Sequence, residues 1–203
     1  MKNREHRKRW GILGGTFDPI HNGHLTLARD CLDLAPLDRI LFVPSFDPPH
    51  KPAGCKASFE DRTCMLELAV GDNAEFAIST IERDIDGPGY TLNLVRALKK
   101  RYPEVAFSFI IGADNITQML DWHQPERIFE EVRVIAGTRP GFDLHTRDYP
   151  EGFAFTTVPT SAVNLSATEI RSMLAREISL EALAQSVPQA VAEYIFNRKL
   201  YRP

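Results

Sequence analysis

Three features of the sequence predict an α/β fold built on a parallel sheet. Short, almost wholly apolar runs recur along the chain, as strands covered on both faces require. Amphipathic stretches of helical period lie between these runs, and the alternation argues for a parallel sheet layered with helices. The chain has 203 residues, 43% hydrophobic and 25% charged, which suits one large globular domain with a substantial core.

The runs that read as strands are 10–14, 39–43, 76–81, 106–111 and 132–136, with a shorter one at 153–158. Leu25, Leu27, Ala28, Cys31 and Leu32 fall near a 3.6-residue period and mark a helix from about Asn22. Ser58 with Asp61 resembles the start signal of a helix through Leu66 and Ala69. Leu94, Val95 and Leu98 mark another helix. Ser166 followed three residues later by Glu169 is a capping-box pattern, and Pro188 suits the first turn of a final helix at 189–197. Residues 160–203 therefore read as a helical C-terminal part of the same domain. No repeat, low-complexity tract or composition shift marks a second one. Residues 44–57 hold four prolines and one glycine and read as an irregular surface excursion.

The bulk numbers bear on several classes. A net charge of −3 gives no reason to expect a nucleic-acid partner. Residues 1–9 are rich in Lys and Arg and read as a mobile basic arm. The apolar stretch behind them, 10–13, is shorter than the roughly 7–15 residues of a signal-peptide core. No run approaches the roughly 18 apolar residues of a membrane span. Three cysteines, Cys31, Cys55 and Cys64, form no CxxC pair. They argue against a disulfide framework or a thiolate zinc site and for reduced thiols in the cytoplasm. The oligomeric state stays open, a homo-oligomer included.

The candidate site begins at Gly14-Gly15-Thr16-Phe17-Asp18-Pro19-Ile20-His21-Asn22-Gly23-His24. A strand followed by two glycines, a short turn and a helix lies where α/β sheets bind ligands, beyond the carboxyl end of a strand. Glycine lets phosphate oxygens approach backbone N–H groups, and a helix N-terminus adds donors and partial positive charge. His21 and His24, three apart, can face one side and donate to the oxygens of a polyphosphate. Metal binding by the pair would need a third ligand, which the sequence does not locate. The glycine spacing differs from the GxGxxG dinucleotide fingerprint.

A second cluster, Leu165-Ser166-Ala167-Thr168-Glu169-Ile170-Arg171, places two hydroxyls and free N–H groups at the start of a late helix. Arg171 stands one turn further in. The group could hold a triphosphate tail or could be an ordinary capped surface helix.

Together the two stretches resemble the HxGH nucleotidylyltransferase superfamily, the second being similar to its ISxTxxR phosphate-binding element with Leu165 in place of isoleucine. The resemblance implies a Rossmann-like parallel sheet with helices on both faces. Further stretches point to the nicotinate-nucleotide adenylyltransferase branch: Pro48-Pro49-His50-Lys51, Phe59-Glu60-Asp61-Arg62 with Met65-Leu66-Glu67-Leu68-Ala69, Gly89-Tyr90-Thr91-Leu92, and Phe109-Ile110-Ile111-Gly112-Ala113-Asp114-Asn115. Trp122 and Thr138-Arg139-Pro140-Gly141 continue the match.

The residues allow these readings beside others. Lys51 is a positive charge on a proline-stiffened loop, suited to phosphates or merely solvated. Asp114, after Gly112, could accept from ribose hydroxyls or cap a helix. Trp122 could offer a face to a cationic pyridine ring or pack in the core. Arg139 could pair with phosphate or cap a strand end.

What the resemblance implies is ATP and nicotinate mononucleotide as substrates, and deamido-NAD and pyrophosphate as products, a step of NAD biosynthesis. Mg²⁺ is expected to arrive with ATP. Gly14, Gly15, Thr16, Phe17, His21, His24, Gly112, Asp114, Ser166, Thr168 and Arg171 would bind ATP. Thr16, Phe17, Lys51, Tyr90, Thr91, Trp122 and Arg139 would bind the mononucleotide, with backbone N–H groups near Tyr90 and Thr91 on its carboxylate. His21, His24, Lys51 and Arg171 would carry the chemistry. The alternatives are a different acceptor, nicotinamide mononucleotide or phosphopantetheine, or a non-catalytic nucleotide-binding module.

Overall fold

The computed structural model describes residues 7–48, 54–116, 118–138, 149–161 and 165–202. Six strands form one parallel sheet: β1 (Lys8–Gly15), β2 (Arg39–Pro44), β3 (Phe76–Ile78), β4 (Val105–Gly112), β5 (Arg133–Thr138) and β6 (Phe155–Pro159). Their order is β3-β2-β1-β4-β5-β6, with every neighbouring pair parallel. The helices are α1 (Asn22–Leu34), α2 (Phe59–Val70), α3 (Thr91–Arg101), α4 (Ala113–Ile116), α5 (Pro125–Glu131), α6 (Ala167–Leu174), α7 (Leu180–Leu183) and α8 (Gln189–Asn197).

The apolar runs split into two cores because successive strand residues face opposite sides. Leu13, Phe42, Ile110 and Ile135 pack on one side with Ala28, Leu66, Ile170, Leu183 and Ile195 from α1, α2, α6, α7 and α8. Ile12, Leu41, Phe109 and Val134 pack on the other side with Val95 and Leu98 from α3 and Ile128 from α5. Helices thus cover both faces, and the C-terminal helices belong to the first core. The sheet centre is tight: a side-chain carbon at Gly11 would stand 2.5 Å from Ile110 Cδ1.

Several start signals act as their chemistry predicts. Ser58 Oγ accepts from the Asp61 N–H at 3.0 Å. Ser166 and Glu169 form the reciprocal capping box, at 2.9 and 3.1 Å. Pro188 is the N-cap of α8 and lies outside its first turn. Residues 76–81 are not one strand. β3 is a sheet edge, its last ladder bond is Ser79 N–H to the Phe42 carbonyl, and Ile81–Asp84 forms a 3-10 turn. Ser79 Oγ accepts from the Ile81 N–H and favours that turn over further strand. At the other end, Lys8 and Arg9, expected in the basic arm, are strand residues paired with Val105 and Ala106. Arg9 is held by Asp38 through its N–H and its guanidinium, and Arg7 donates to the Pro103 and Val105 carbonyls. The rest of the expected arm, 1–6, lies outside the described residues.

The three cysteines are free. Burial, then the neighbouring Asp30 carboxylate, pushes the Cys31 thiol up to about 12, so it stays protonated. Among the described residues no helix is long and apolar enough to cross a membrane.

Candidate active site

The sheet order reverses direction between β1 and β4, and the crevice beyond the carboxyl ends of such strands is where open α/β sheets take ligands. Two cavities open there. The larger, about 450 Å³, reaches from Gly14–Thr16 past His21, Gly23 and His24 to Gly112, Ser166 and Ala167. The smaller, about 200 Å³, lies toward α3 and is bounded by Ser45, Glu82, Gly89, Tyr90, Thr91 and His123. Both are lined by Gly14, Gly15, Thr16, Phe109 and Trp122, so they meet at the β1 turn.

His21 is the N-cap of α1 and is buried. His24 stacks on it, ring centroids 3.6 Å apart and planes within 25°. The His21 N–H donates to His24 Nδ1 at 3.3 Å, so the neutral His24 ring carries its proton on Nε2. Burial first, then the His21 ring, holds His24 well below the ordinary imidazole range. The pair therefore presents a neutral N–H donor to the larger cavity. Phe17 fixes its far side, edge-on to His24 at 5.1 Å.

The first turn of α1 offers fewer donors than a bare helix end. The Asn22 N–H goes to the Ser186 carbonyl, and the His24 and Leu25 N–H groups both go to the His21 carbonyl. Gly23, the other residue of that first turn, lines the cavity.

The turn from Thr16 to Asp18 is held from two sides by arginines. Arg62, 2% exposed, donates from Nη1 to the Thr16 carbonyl at 2.6 Å. Arg171 donates from Nη1 to the Asp18 carbonyl at 2.7 Å and from Nη2 to Thr168 Oγ1 at 3.1 Å. The buried Asp18 carboxylate accepts from the Lys56 and Ala57 N–H groups and from the Tyr201 hydroxyl. Three distant segments thus converge on one turn.

In the smaller cavity, Tyr90 caps α3 and stacks on His123 at 4.2 Å. Its own N–H is bonded to the Pro88 carbonyl, so donors for an anion begin at Thr91, in a first turn without acidic residues. A side-chain carbon at Gly89 would meet the Asp47 carbonyl oxygen at 2.9 Å, so this wall depends on glycine. Glu82, 8% exposed, accepts from the Phe46 N–H at 3.0 Å. Burial pushes its carboxyl up to about 7, against the Phe46 N–H and Arg62, which pull it down. Trp122 stands edge-on to Phe109 at 6.0 Å.

Residues 12–173 match the family model described as cytidylyltransferase-like. The probable nicotinate-nucleotide adenylyltransferase of Rubrobacter xylanophilus is 40% identical over 200 residues, covering 96% of this chain and 92% of its own. That of Corynebacterium kroppenstedtii is 38% identical, covering 100% and 95%. The chain belongs to the cytidylyltransferase-like family, in its nicotinate-nucleotide adenylyltransferase branch. Among solved structures, Plasmodium falciparum nicotinic acid mononucleotide adenylyltransferase complexed with NaAD superposes with a TM-score of 0.78 at 20% identity, covering 96% of this chain and 97% of its own. That likeness concerns the Rossmann-like fold.

Within this family fold, Gly14, Gly15, Thr16, His21, His24, Gly112 and Ser166 come together around the larger cavity, and Tyr90, Thr91 and Trp122 around the smaller. Thr168 and Arg171 stand behind Ser166, bonded to each other and to Asp18. The Phe17 side chain is core, 1% exposed, and its backbone takes a left-handed φ of 47°. Trp122 lines both cavities. Asp114 is the second residue of α4, two past Gly112, and its side chain lies outside the described residues, as do Lys51 and Arg139. The sequence assigned no site role to Arg62, Glu82, His123, Asp18 or Tyr201. Arg62, in the Phe59–Arg62 stretch, His123, beside Trp122, and Asp18, inside the glycine turn, carried a local signal; Glu82 and Tyr201 did not.

Proposed function

We propose that this chain transfers the adenylyl group of ATP to nicotinate mononucleotide, giving deamido-NAD and pyrophosphate. One observation carries the reading: two cavities of different character abut at the β1 turn, the larger walled by the His21–His24 pair and the start of α6. The relatives bear the matching name over nearly their full length.

In the proposed arrangement ATP fills the larger cavity. Its β- and γ-phosphates meet Ser166, Thr168 and Arg171, and its ribose lies near Gly112 and Asp114. The mononucleotide fills the smaller cavity, with its ring against Trp122 and its carboxylate at the Thr91 end of α3. Its 5′-phosphate, already an anion at pH 7, attacks the α-phosphorus. The new P–O bond forms as the bond to pyrophosphate breaks, with no covalent enzyme intermediate.

Catalysis then rests on position and charge. His24 Nε2–H and His21 donate to the α- and β-phosphate oxygens as charge builds there. Lys51 and Arg139 are proposed to add positive charge near the mononucleotide phosphate. Mg²⁺ enters as MgATP. Among the described residues no group of three or more His, Cys, Asp or Glu is placed to hold a metal ion. The proposal needs neither a nucleic acid nor a membrane as partner and assigns the chain to the cytoplasm.

The test is adenylylation of the mononucleotide by the purified chain with MgATP, the dinucleotide product followed by chromatography. The reading predicts that deamido-NAD accumulates in equal amount with pyrophosphate. Pyrophosphate released without dinucleotide would contradict it.

A further inference from the structure

The C-terminal end of the chain reaches the candidate active site. After α8, Lys199 and Tyr201 both adopt left-handed backbone angles, φ 53° and 64°. Ordinary residues seldom take that conformation, so the contacts that follow must hold it. Past these bends the Tyr201 hydroxyl stands 2.9 Å from Asp18 Oδ1.

Asp18 is 1% exposed. Its carboxylate oxygens already accept the Lys56 and Ala57 N–H groups at 2.8 and 3.0 Å, and Tyr201 adds a third donor. A buried carboxylate bonded on both oxygens has little freedom, so the peptide carrying it is fixed. That same residue's carbonyl takes Arg171 Nη1 at 2.7 Å, and Arg171 spans from there to Thr168 in the first turn of α6. Burial and the Asp18 charge push the Tyr201 phenol far above its ordinary range, so it remains a donor at working pH.

We propose that Tyr201 is a positioning residue for the triphosphate clamp, its hydroxyl fixing Asp18 so that the Asp18 carbonyl can hold Arg171 beside Thr168. The inference rests on reading α6 as the phosphate-binding element. The tail of the chain then acts as a strap across the β1 turn, and ATP affinity depends on a bond formed 183 residues away in sequence. Tyr194 is the built-in comparison. It donates in the same way to a buried carboxylate, Asp61, at 2.9 Å, but that carboxylate caps α2 with Ser58 and makes no contact with Arg171.

The experiment is titration calorimetry of the full chain with MgATP and, separately, with nicotinate mononucleotide. Tyr201→Phe, Tyr194→Phe and Arg171→Ala are compared, together with the Tyr201→Phe, Arg171→Ala double variant. Tyr201→Phe should weaken ATP binding about 3- to 10-fold, the net scale of one ordinary hydrogen bond, and change mononucleotide binding by less than about two-fold. Tyr194→Phe should lower the melting temperature and leave ATP affinity unchanged. In the Arg171→Ala background, Tyr201→Phe should have no further effect. Unchanged ATP affinity in Tyr201→Phe, equal weakening for both ligands, or an undiminished effect without Arg171 would each overturn the proposal. Wild-type chain that binds no ATP would overturn the adenylyl-transfer reading as well.

Discussion

At the scale of single residues, His24 and Glu82 have opposite electrostatic positions. His24 is held neutral, with Nδ1 used by the His21 N–H, so that Nε2–H is the ring's donor. His24→Ala should lower turnover about 100-fold, the scale of losing one preorganised transition-state donor, and near-normal turnover in a folded variant would remove it from the mechanism. Because folding depresses the His24 pKa, its contribution to stability is whole above about 6.5 and is lost as pH falls below that value. Glu82 runs the other way. Its folded pKa, about 7, lies above the ordinary 4.5, so the stability it contributes is present below 4.5 and is lost as pH rises through 7. The melting-temperature advantage of Glu82→Gln over wild type should therefore grow between pH 5 and pH 8 by at least ~2–4 °C. An advantage independent of pH would show that Glu82 does not titrate in this window. Neither residue's environment was legible in the sequence. Glu82 sits in an ordinary polar stretch, and only the fold brings the Phe46 N–H to it and buries it.

At the scale of elements, capped helices and fully apolar strands were legible because their signals are local. Ser58 and Ser166 cap α2 and α6 as their spacing to Asp61 and Glu169 required. Ser58→Ala should cost about 1 kcal/mol of stability by denaturant unfolding, and a loss well under that would mean Asp61 finds another partner. The short helices α4 and α5 were missed, since four to seven residues are too few to display a 3.6-residue period. The wall of the smaller cavity is an element-scale device of the same kind. It pairs the start of α3 with the 45–48 loop, and Gly89 lets the two backbones touch. Gly89→Ala should raise the KM for the mononucleotide several-fold and spare that for ATP. An equal rise for both would mean the two cavities do not act as separate subsites.

At the scale of the whole molecule, the sheet order itself was not readable, though the alternating pattern implied a parallel sheet. That order places the carboxyl ends of β1 and β4 side by side, which turns a glycine turn at residue 15 and a glycine at residue 112 into one crevice. The network around the turn escaped notice for the same reason. Arg62, Arg171 and Tyr201 are 46, 153 and 183 residues from their partners, and no local pattern records such contacts. The C-terminal helices share a core with α1 and α2 through Ile170, Leu183, Val191 and Ile195. Thermal unfolding should therefore be one cooperative transition, and a separate early transition of the last forty residues would contradict that packing. The central claim concerns which acceptor the paired cavities select. Pyrophosphate release with MgATP, measured in parallel with nicotinate and nicotinamide mononucleotides, tests it most directly. The account predicts release with both histidines intact and a higher kcat/KM for the carboxylate-bearing nicotinate form. Equal or greater kcat/KM for the nicotinamide form, or release with neither, would contradict it.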